Sequence, residues 1–138
     1  MKSLKQLAAI TLFGALAGVG LHAQTVDLRA TIPFDLTVGQ ASLPAGDYEI
    51  HEQGVVVLVR RLDGKPANAI VTTVGVGGAE SGGSPRLTFH RYGNEYFLSE
   101  IWNPESGGGR GVPRTGHEAE VAKRLGSAVE ATVLANKR

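Results

Sequence analysis

Residues 86–102 read RLTFHRYGNEYFLSEIW, and this stretch predicts the centre of the fold. It contains five of the chain's eight aromatic residues and its one tryptophan. Two runs rich in aromatic and aliphatic side chains surround the tripeptide Tyr-Gly-Asn at 92–94, a spacing typical of a β-hairpin. Glycine and asparagine both tolerate the left-handed conformation that a tight turn often needs. We therefore expect an antiparallel hairpin here.

Two registers are open for this hairpin. A two-residue turn sets Arg91 opposite Tyr96, whereas a three-residue loop sets it opposite Glu95. The three-residue loop also pairs Arg86 with Glu100, and each cross-strand pair of opposite charges contributes about 0.2–1 kcal/mol. The charge pairing favours the three-residue loop.

In that register the hairpin has two distinct faces. The face expected in the core carries Leu87, Phe89, Phe97, Ser99 and Ile101. The opposite face, here called the aromatic face, carries His90, Tyr96, Leu98 and Trp102, edged by Arg86 and Glu100. Tyrosine and tryptophan combine a rigid apolar body with a polar tip, which suits the binding of a ligand or partner. The alternative is that the C-terminal helix covers this face or that it lines a second side of the core.

The N-terminus has the pattern of a secretory signal peptide. Two lysines and no acid precede an apolar run of fifteen residues, 7–21, and a small residue follows at Ala23. Fifteen residues are short for a membrane span, and an uncleaved anchor is the alternative. We predict a signal peptide at residues 1–23 and export to the periplasm or the extracellular space. After cleavage the chain has no second long apolar segment, so we predict no membrane span.

The remaining residues, 24–138, predict a single β-rich domain of 115 residues, long enough for a core without covalent staples. The chain has no cysteine, which excludes disulfides, thiolate catalysis and cysteine-ligated metals. Twelve basic residues stand against 13 acidic ones in this part. Nucleic-acid binding needs a concentrated basic surface, so we expect no nucleic-acid partner.

Alternating apolar and polar residues predict further strands on both sides of the hairpin. They lie at residues 25–38 with a bend at Pro33, at 47–52, at 55–59 and, after an Asp-Gly turn at 63–64, at 67–76. The proline bend implies that residues 25–38 form an edge or a corner. Five consecutive aliphatics at 55–59 indicate a strand covered on both sides or one crossing a barrel wall.

Two glycine-rich segments, residues 77–85 and 103–113, flank the hairpin and share the tetrapeptide Glu-Ser-Gly-Gly. We expect both to be mobile loops on one rim. Thr115 and Glu118 have the spacing of a capping box at the start of a short helix. Residues 128–135 then predict a closing strand, with continuation of the helix as the alternative.

These segments together predict an all-β fold: a small antiparallel β-barrel or sandwich of about 7–8 strands with one short C-terminal helix.

A set of short motifs carries a resemblance to a known group. They are IPF at 32–34, VG at 38–39, LPAG-x-Y at 43–48, FHRYG at 89–93, YFL at 96–98 and IW at 101–102. The set resembles small exported proteins of unknown function that are frequent in soil-type acidobacteria. The resemblance covers most of residues 32–102 and a helix near the end, and it implies no catalytic residues.

No catalytic, cofactor or metal motif emerges from the sequence. The serines of the two Glu-Ser-Gly-Gly segments lack the G-x-S-x-G context of a nucleophile. His51, His90 and His117 lack the local spacing of a zinc site. The glycine run at 107–111 with Arg110 does not lead directly into a helix N-terminus, as a phosphate loop does. We predict no catalytic residue, no metal and no cofactor.

The predicted function is that of an exported, non-enzymatic β-module that binds an unknown small ligand or a cell-envelope protein. The predicted binding residues are His90, Tyr96, Trp102, Glu80 and Glu105. One alternative is a structural subunit of a surface assembly, joined through an open edge strand such as residues 25–38. The other is a small hydrolase that uses His90 with Glu100 or a carboxylate of the rim.

Overall fold

The computed structural model describes residues 26–77, 83–106 and 108–137. The predicted signal peptide, residues 1–23, and the predicted binding residue Glu80 lie outside the described residues. Across the described part of the chain, no helix is long and apolar enough to span a membrane.

The described residues form twelve strands and one α-helix. In chain order the strands are β1 (Val26–Ile32), β2 (Leu36–Val38), β3 (Ala41–Leu43), β4 (Gly46–Gln53), β5 (Val56–Arg61), β6 (Asn68–Thr72), β7 (Val74–Val76), β8 (Arg86–Tyr92), β9 (Glu95–Asn103), β10 (Gly108–Gly111), β11 (Val129–Leu134) and β12 (Asn136–Lys137). The helix, α1, is Gly116–Leu125, and Pro104–Ser106 forms one 3-10 turn.

The strands form two sheets that pack face to face. The first sheet has the antiparallel order β12-β1-β4-β5-β6. The second has the order β11-β8-β9-β10-β7, and β2 and β3 join it beside β9. The shared core includes Leu28, Ile50 and Val57 from the first sheet and Leu87, Phe89 and Ile101 from the second. The all-β fold with one short C-terminal helix is confirmed. Of the two architectures predicted, the chain forms the sandwich, so the alternative prediction of a closed barrel is wrong.

The sandwich has more strands than the 7–8 predicted. Residues 67–76, predicted as one strand, divide at Thr73 into β6 of the first sheet and β7 of the second. Residues 108–111, predicted as part of a mobile loop, form β10 between β9 and β7. The first difference arises because the chain crosses from one sheet to the other at Thr73, and the second because β10 pairs with β9 and β7 within the second sheet.

Close packing explains why β10 consists mostly of glycine. A Cβ atom on Gly109 would lie 3.1 Å from the ring of Trp102, and one on Gly111 would lie 2.7 Å from Cγ2 of Val76. The glycines therefore let neighbouring side chains lie directly on the backbone of β10. The prediction of a mobile loop is wrong for these four residues. It relied on glycine composition, which by itself indicates flexibility and does not reveal the close packing around β10.

The hairpin of β8 and β9 has a two-residue turn. Tyr92 pairs with Glu95 and Arg91 pairs with Tyr96, so the preferred three-residue register is wrong. Gly93 has a φ of 61°, and no residue other than glycine has a positive φ in the described chain. A positive φ at the first turn residue alone is the type II′ pattern, which matches the twist of the flanking strands. That backbone preference outweighs the small gain from the predicted charge pairs.

A β-bulge in β9 changes which side chains share a face. The pairing of β8 and β9 shifts between Thr88 and Phe89, which leaves Ser99 as an extra residue. Leu98 therefore faces the core beside Phe89, whereas Phe97 lies on the other side of the sheet. The predicted composition of the two faces is wrong for these residues, because an inserted residue inverts the alternation beyond it.

The C-terminal segment follows its prediction. The Thr115 hydroxyl accepts a hydrogen bond from the Glu118 backbone N–H at 3.2 Å and so caps α1. Val121 of α1 is buried against Tyr92 and Phe97. The helix thus covers the outer face of the second sheet near the hairpin turn. Residues 129–134 then form β11 beside β8, which confirms the closing strand.

The bend predicted at Pro33 is a corner, because β1 lies in the first sheet and β2 in the second. β1 is not a fully open edge, since β12 pairs with Leu28 and Arg29. In the described residues the edges are β12 and β6 in the first sheet and β11 and β7 in the second. The two-residue strand β12 follows β11 of the second sheet in the chain and pairs with β1 of the first. The run at 55–59 is covered on one side only, since Val57 and Val59 are buried while Val56 is exposed.

Candidate functional site

The predicted binding residues of the aromatic face do not form one surface. His90 and Trp102 lie on the outer face of the second sheet, and Tyr96 lies on the core side. The Tyr96 ring stacks on Phe34 with centroids 3.7 Å apart and lines a cleft of about 430 Å³ beside Asn94. Because the sheet itself separates Tyr96 from the other two residues, the three side chains do not contact a common ligand.

His90 anchors the helix rather than presenting a free imidazole. Its Nδ1 lies 2.9 Å from Oε2 of Glu118, and the Tyr92 hydroxyl donates to the same oxygen at 2.8 Å. Glu118 is buried, and the Arg114 guanidinium lies 3.8 Å from its Oε2. Burial raises the pKa of Tyr92, and the Glu118 carboxylate raises it further. The hydrolase alternative paired His90 with Glu100 or a carboxylate of the rim, whereas the carboxylate that His90 contacts is that of Glu118 in α1.

Trp102 is 4% exposed and offers little surface to a partner. The Arg86 guanidinium lies 5.1 Å from the centre of its ring, and Gly109 lies against the ring edge. Its buried Nε1 has no hydrogen-bond partner among the described residues. Glu105 is exposed in the 3-10 turn and forms an ion pair with Lys137. Glu80 lies outside the described residues.

An apolar cleft of about 550 Å³ runs along the edge strand β6; we call it the β6 groove. All five residues of β6 line it, together with the β2–β3 turn and the segment at 112–113. Gly39, with a φ of 60°, brings that turn so close to β6 that a Cβ atom would lie 2.7 Å from Val71 Cγ1. Ile70, in the middle of β6, is 71% exposed. Within the described chain, β6 pairs with β5 alone, so its other edge is open.

A polar cluster lies on the outer face of the first sheet, outside the β6 groove. Asp27 of β1 stands directly opposite His51 of β4, and its carboxylate is hydrogen-bonded to Nδ1 of His51. Glu49 lies two residues before His51 and faces the same way. One potential ligand atom from each of these three side chains lies within 4.8 Å of the other two. We call this set the Asp27–Glu49–His51 cluster.

Two arginines from the neighbouring strands balance the charge of Glu49. Arg60 donates from Nη2 to Oε1 of Glu49 at 2.9 Å, and Nη2 of Arg29 lies 3.9 Å from Oε2. Glu49 is only 3% exposed, whereas both arginine side chains are about half exposed. A recess of about 260 Å³ lies over the cluster, with Leu58 in its wall. The cluster therefore combines a buried carboxylate with partners that are able to move into solvent.

Sequence reasoning missed both the β6 groove and this cluster. The spacing of Glu49 and His51 on an alternating strand was a visible signal, since residues two apart share a face. The contribution of Asp27 depends on the pairing of β1 with β4, which the sequence does not record. The three histidines do not converge, because His51 lies on the first sheet while His90 and His117 lie beside the second.

No protein-family model, no curated protein and no solved structure matches this chain.

Proposed function

We propose that this chain is an exported, non-enzymatic β-sandwich module that binds an extended segment of a cell-envelope protein in the β6 groove. The observation that carries the proposal is the open, uncharged edge of β6, whose whole length lines a 550 Å³ apolar cleft. An edge strand presents unpaired backbone donors and acceptors to a chain laid beside it. Backbone pairing then supplies affinity, and alternate side chains supply specificity.

The composition of β6 supports this proposal. Its sequence, NAIVT, contains no charge and no proline, the devices by which edge strands commonly resist pairing. The other long edge strand, β11, carries Glu130. Ile70 projects from the open strand with its side chain largely in solvent. A partner strand with apolar residues at alternate positions would cover Ile70 and the wall formed by Val112 and Pro113.

The aromatic face receives less support as the binding surface. The helix packs on Tyr92 and Phe97, and Trp102 is nearly buried. The alternative function, a subunit of a surface assembly, uses the same chemistry with a second copy of this chain in the groove. Export rests on the lysines and apolar run of residues 1–23 and on the resemblance to small exported proteins.

Peptide selection on the immobilised protein tests the groove. We expect selected ten-residue peptides to alternate apolar and polar positions and to lose at least tenfold in affinity for the Ile70→Lys variant. Val129→Lys is the matched control, because Val129 is equally an exposed aliphatic on an edge strand of the other sheet. Equal loss in both variants, or none in Ile70→Lys, contradicts the proposal. Mass measurement over a dilution series separates self-association from partner binding.

A further inference from the structure

We propose that Asp27, Glu49 and His51 form a binding site for one divalent transition-metal ion, such as Zn²⁺, on the outer face of the first sheet. The site is separate from the β6 groove and does not depend on the proposed function. Its donor set is one imidazole nitrogen and two carboxylate oxygens, within 4.8 Å of one another. In tetrahedral geometry, metal–ligand bonds of about 2.0–2.2 Å place two ligand atoms of one zinc about 3.3–3.6 Å apart. Side-chain rotations that shorten the longest of these separations would therefore complete the site.

The backbone positions the three side chains before any ion binds. Glu49 and His51 are alternate residues of β4, so they project from the same face of the sheet. Asp27 is the direct cross-strand partner of His51, where Cβ atoms lie about 4.5–5.5 Å apart. β4 is a central strand, paired with β1 on one side and β5 on the other. Ligands on such paired strands are held more rigidly than ligands on a loop.

Burial distinguishes this cluster from ordinary surface acids. Glu49 is 3% exposed although it points away from the core, and Asp27 and His51 are partly buried around the same recess. Arg60 holds Glu49 from the solvent side, and its own side chain is about half exposed. An entering ion would displace the Arg60 guanidinium, whose side chain is about half exposed and able to turn into solvent. Binding through Nδ1 of His51 would also break its hydrogen bond with Asp27, because the coordinating nitrogen cannot carry a proton and the carboxylate must be ionised.

The ligand types indicate the class of ion. A neutral imidazole suits Zn²⁺, Co²⁺, Ni²⁺ and Cu²⁺, whereas Ca²⁺ and Mg²⁺ prefer sites made entirely of oxygen. Three protein ligands leave at least one coordination position for water. Competition with Arg60 then predicts an unusual result: removing the arginine should strengthen metal binding.

Calorimetric titration of the tag-free exported protein with Zn²⁺ and with Co²⁺ tests the site. We expect one ion per chain, and at least a tenfold loss of affinity in His51→Ala and in Asp27→Asn. Arg60→Gln should bind at least threefold more tightly, because Glu49 no longer has to release a guanidinium. The matched control is His90→Ala, which removes the other histidine–carboxylate pair and should leave the affinity unchanged.

A second measurement keeps the test decisive if a substituted chain fails to fold. In the wild-type protein, paramagnetic Co²⁺ should broaden the NMR resonances of residues around His51 and leave those around His90 unchanged. Absence of binding at millimolar metal, equal affinity in wild type and folded His51→Ala, or broadening centred on His90 would each overturn the proposal. Weaker binding by Arg60→Gln would also contradict the competition on which it rests.

Discussion

Arg110 holds Thr73 at the point where the chain leaves the first sheet for the second. The Arg110 Nε donates to Oγ1 of Thr73 at 2.9 Å, and Nη2 donates to the Thr73 carbonyl oxygen at 3.1 Å. The Thr73 backbone N–H and hydroxyl both donate to the Val55 carbonyl oxygen, at 2.7 and 2.8 Å. The arginine from a glycine-rich strand therefore fixes the corner between β6 and β7, which is also one end of the β6 groove.

Removing the Thr73 hydroxyl should weaken this corner. Thr73→Val keeps the shape of the side chain but leaves the Arg110 Nε without its acceptor in a buried position. Loss of one partner of a buried hydrogen bond costs about 1–3 kcal/mol in the free energy of unfolding. Urea denaturation measures this change. Thr72→Val, on the exposed neighbouring position, is the control and should change stability by less than about 0.5 kcal/mol. Unchanged stability in Thr73→Val would show that the hydrogen bonds of the Thr73 hydroxyl contribute nothing.

Adding a methyl group to β10 should destabilise the sandwich. Gly111→Ala would place Cβ 2.7 Å from Val76 Cγ2, so β7 and β10 must separate or a side chain must shift. Overpacking of this kind costs about 1–3 kcal/mol. Gly116→Ala is the control, because a Cβ atom there meets nothing within 4 Å. Thermal melts of the two variants should differ, with the lower midpoint for Gly111→Ala. Equal midpoints would mean that β10 is not closely packed.

The contact of α1 with the second sheet should depend on Glu118. Its carboxylate accepts hydrogen bonds from Tyr92 and from His90, so Glu118→Ala leaves a buried tyrosine hydroxyl without a partner. We expect a loss of about 1–3 kcal/mol in the free energy of unfolding and faster hydrogen exchange of the α1 amides. Glu120→Ala removes an exposed carboxylate from the same helix and is the control. Similar exchange rates in both variants would contradict the anchoring role.

Stability should fall in alkaline solution because two tyrosines are buried. Burial raises the pKa of Tyr48 and of Tyr92 above the ordinary value of 10.0, and Glu118 adds to the effect at Tyr92. A raised folded-state pKa means that the stability contribution is complete below the unfolded pKa and is lost as the pH rises through the folded value. Urea unfolding at several pH values from about 8 to about 11 measures this loss. Tyr92→Phe should flatten the decline, and an unchanged slope would rule Tyr92 out as a cause.

Local sequence was sufficient for the elements whose signals are local. Alternation predicted the strands around Ile50 and Leu87, and the Thr115 cap predicted the start of α1, because these patterns involve neighbours along the chain. Local signals failed where a distant contact outweighed them. The glycines of β10 form a strand because Trp102 and Val76 lie directly over the backbone. The faces of the hairpin differ from the prediction because the turn has two residues and one extra residue, Ser99, inverts the alternation in β9.

The two candidate sites also depend partly on local spacing in the sequence and partly on contacts between distant segments. Glu49 and His51 share a face through their spacing alone, but the positions of Asp27 and Arg60 beside them depend on two strand pairings. The β6 groove required the β2–β3 turn to cross from the second sheet onto Val71. Neither arrangement has a motif, because each combines residues from segments that are distant in the chain: Asp27 lies 22 positions before Glu49, and the β2–β3 turn lies more than 25 positions before β6.

By itself the amino-acid sequence determined most of the extended segments, where the short helix begins and that no cysteine chemistry is available. These properties follow from side-chain periodicity, capping and composition, each of which acts within a few residues. Only the tertiary structure decided which edge stays open, which aromatic rings are covered and which charged side chains meet. Those outcomes depend on the order and register of strands in two packed sheets, and therefore on distances between residues far apart in the chain.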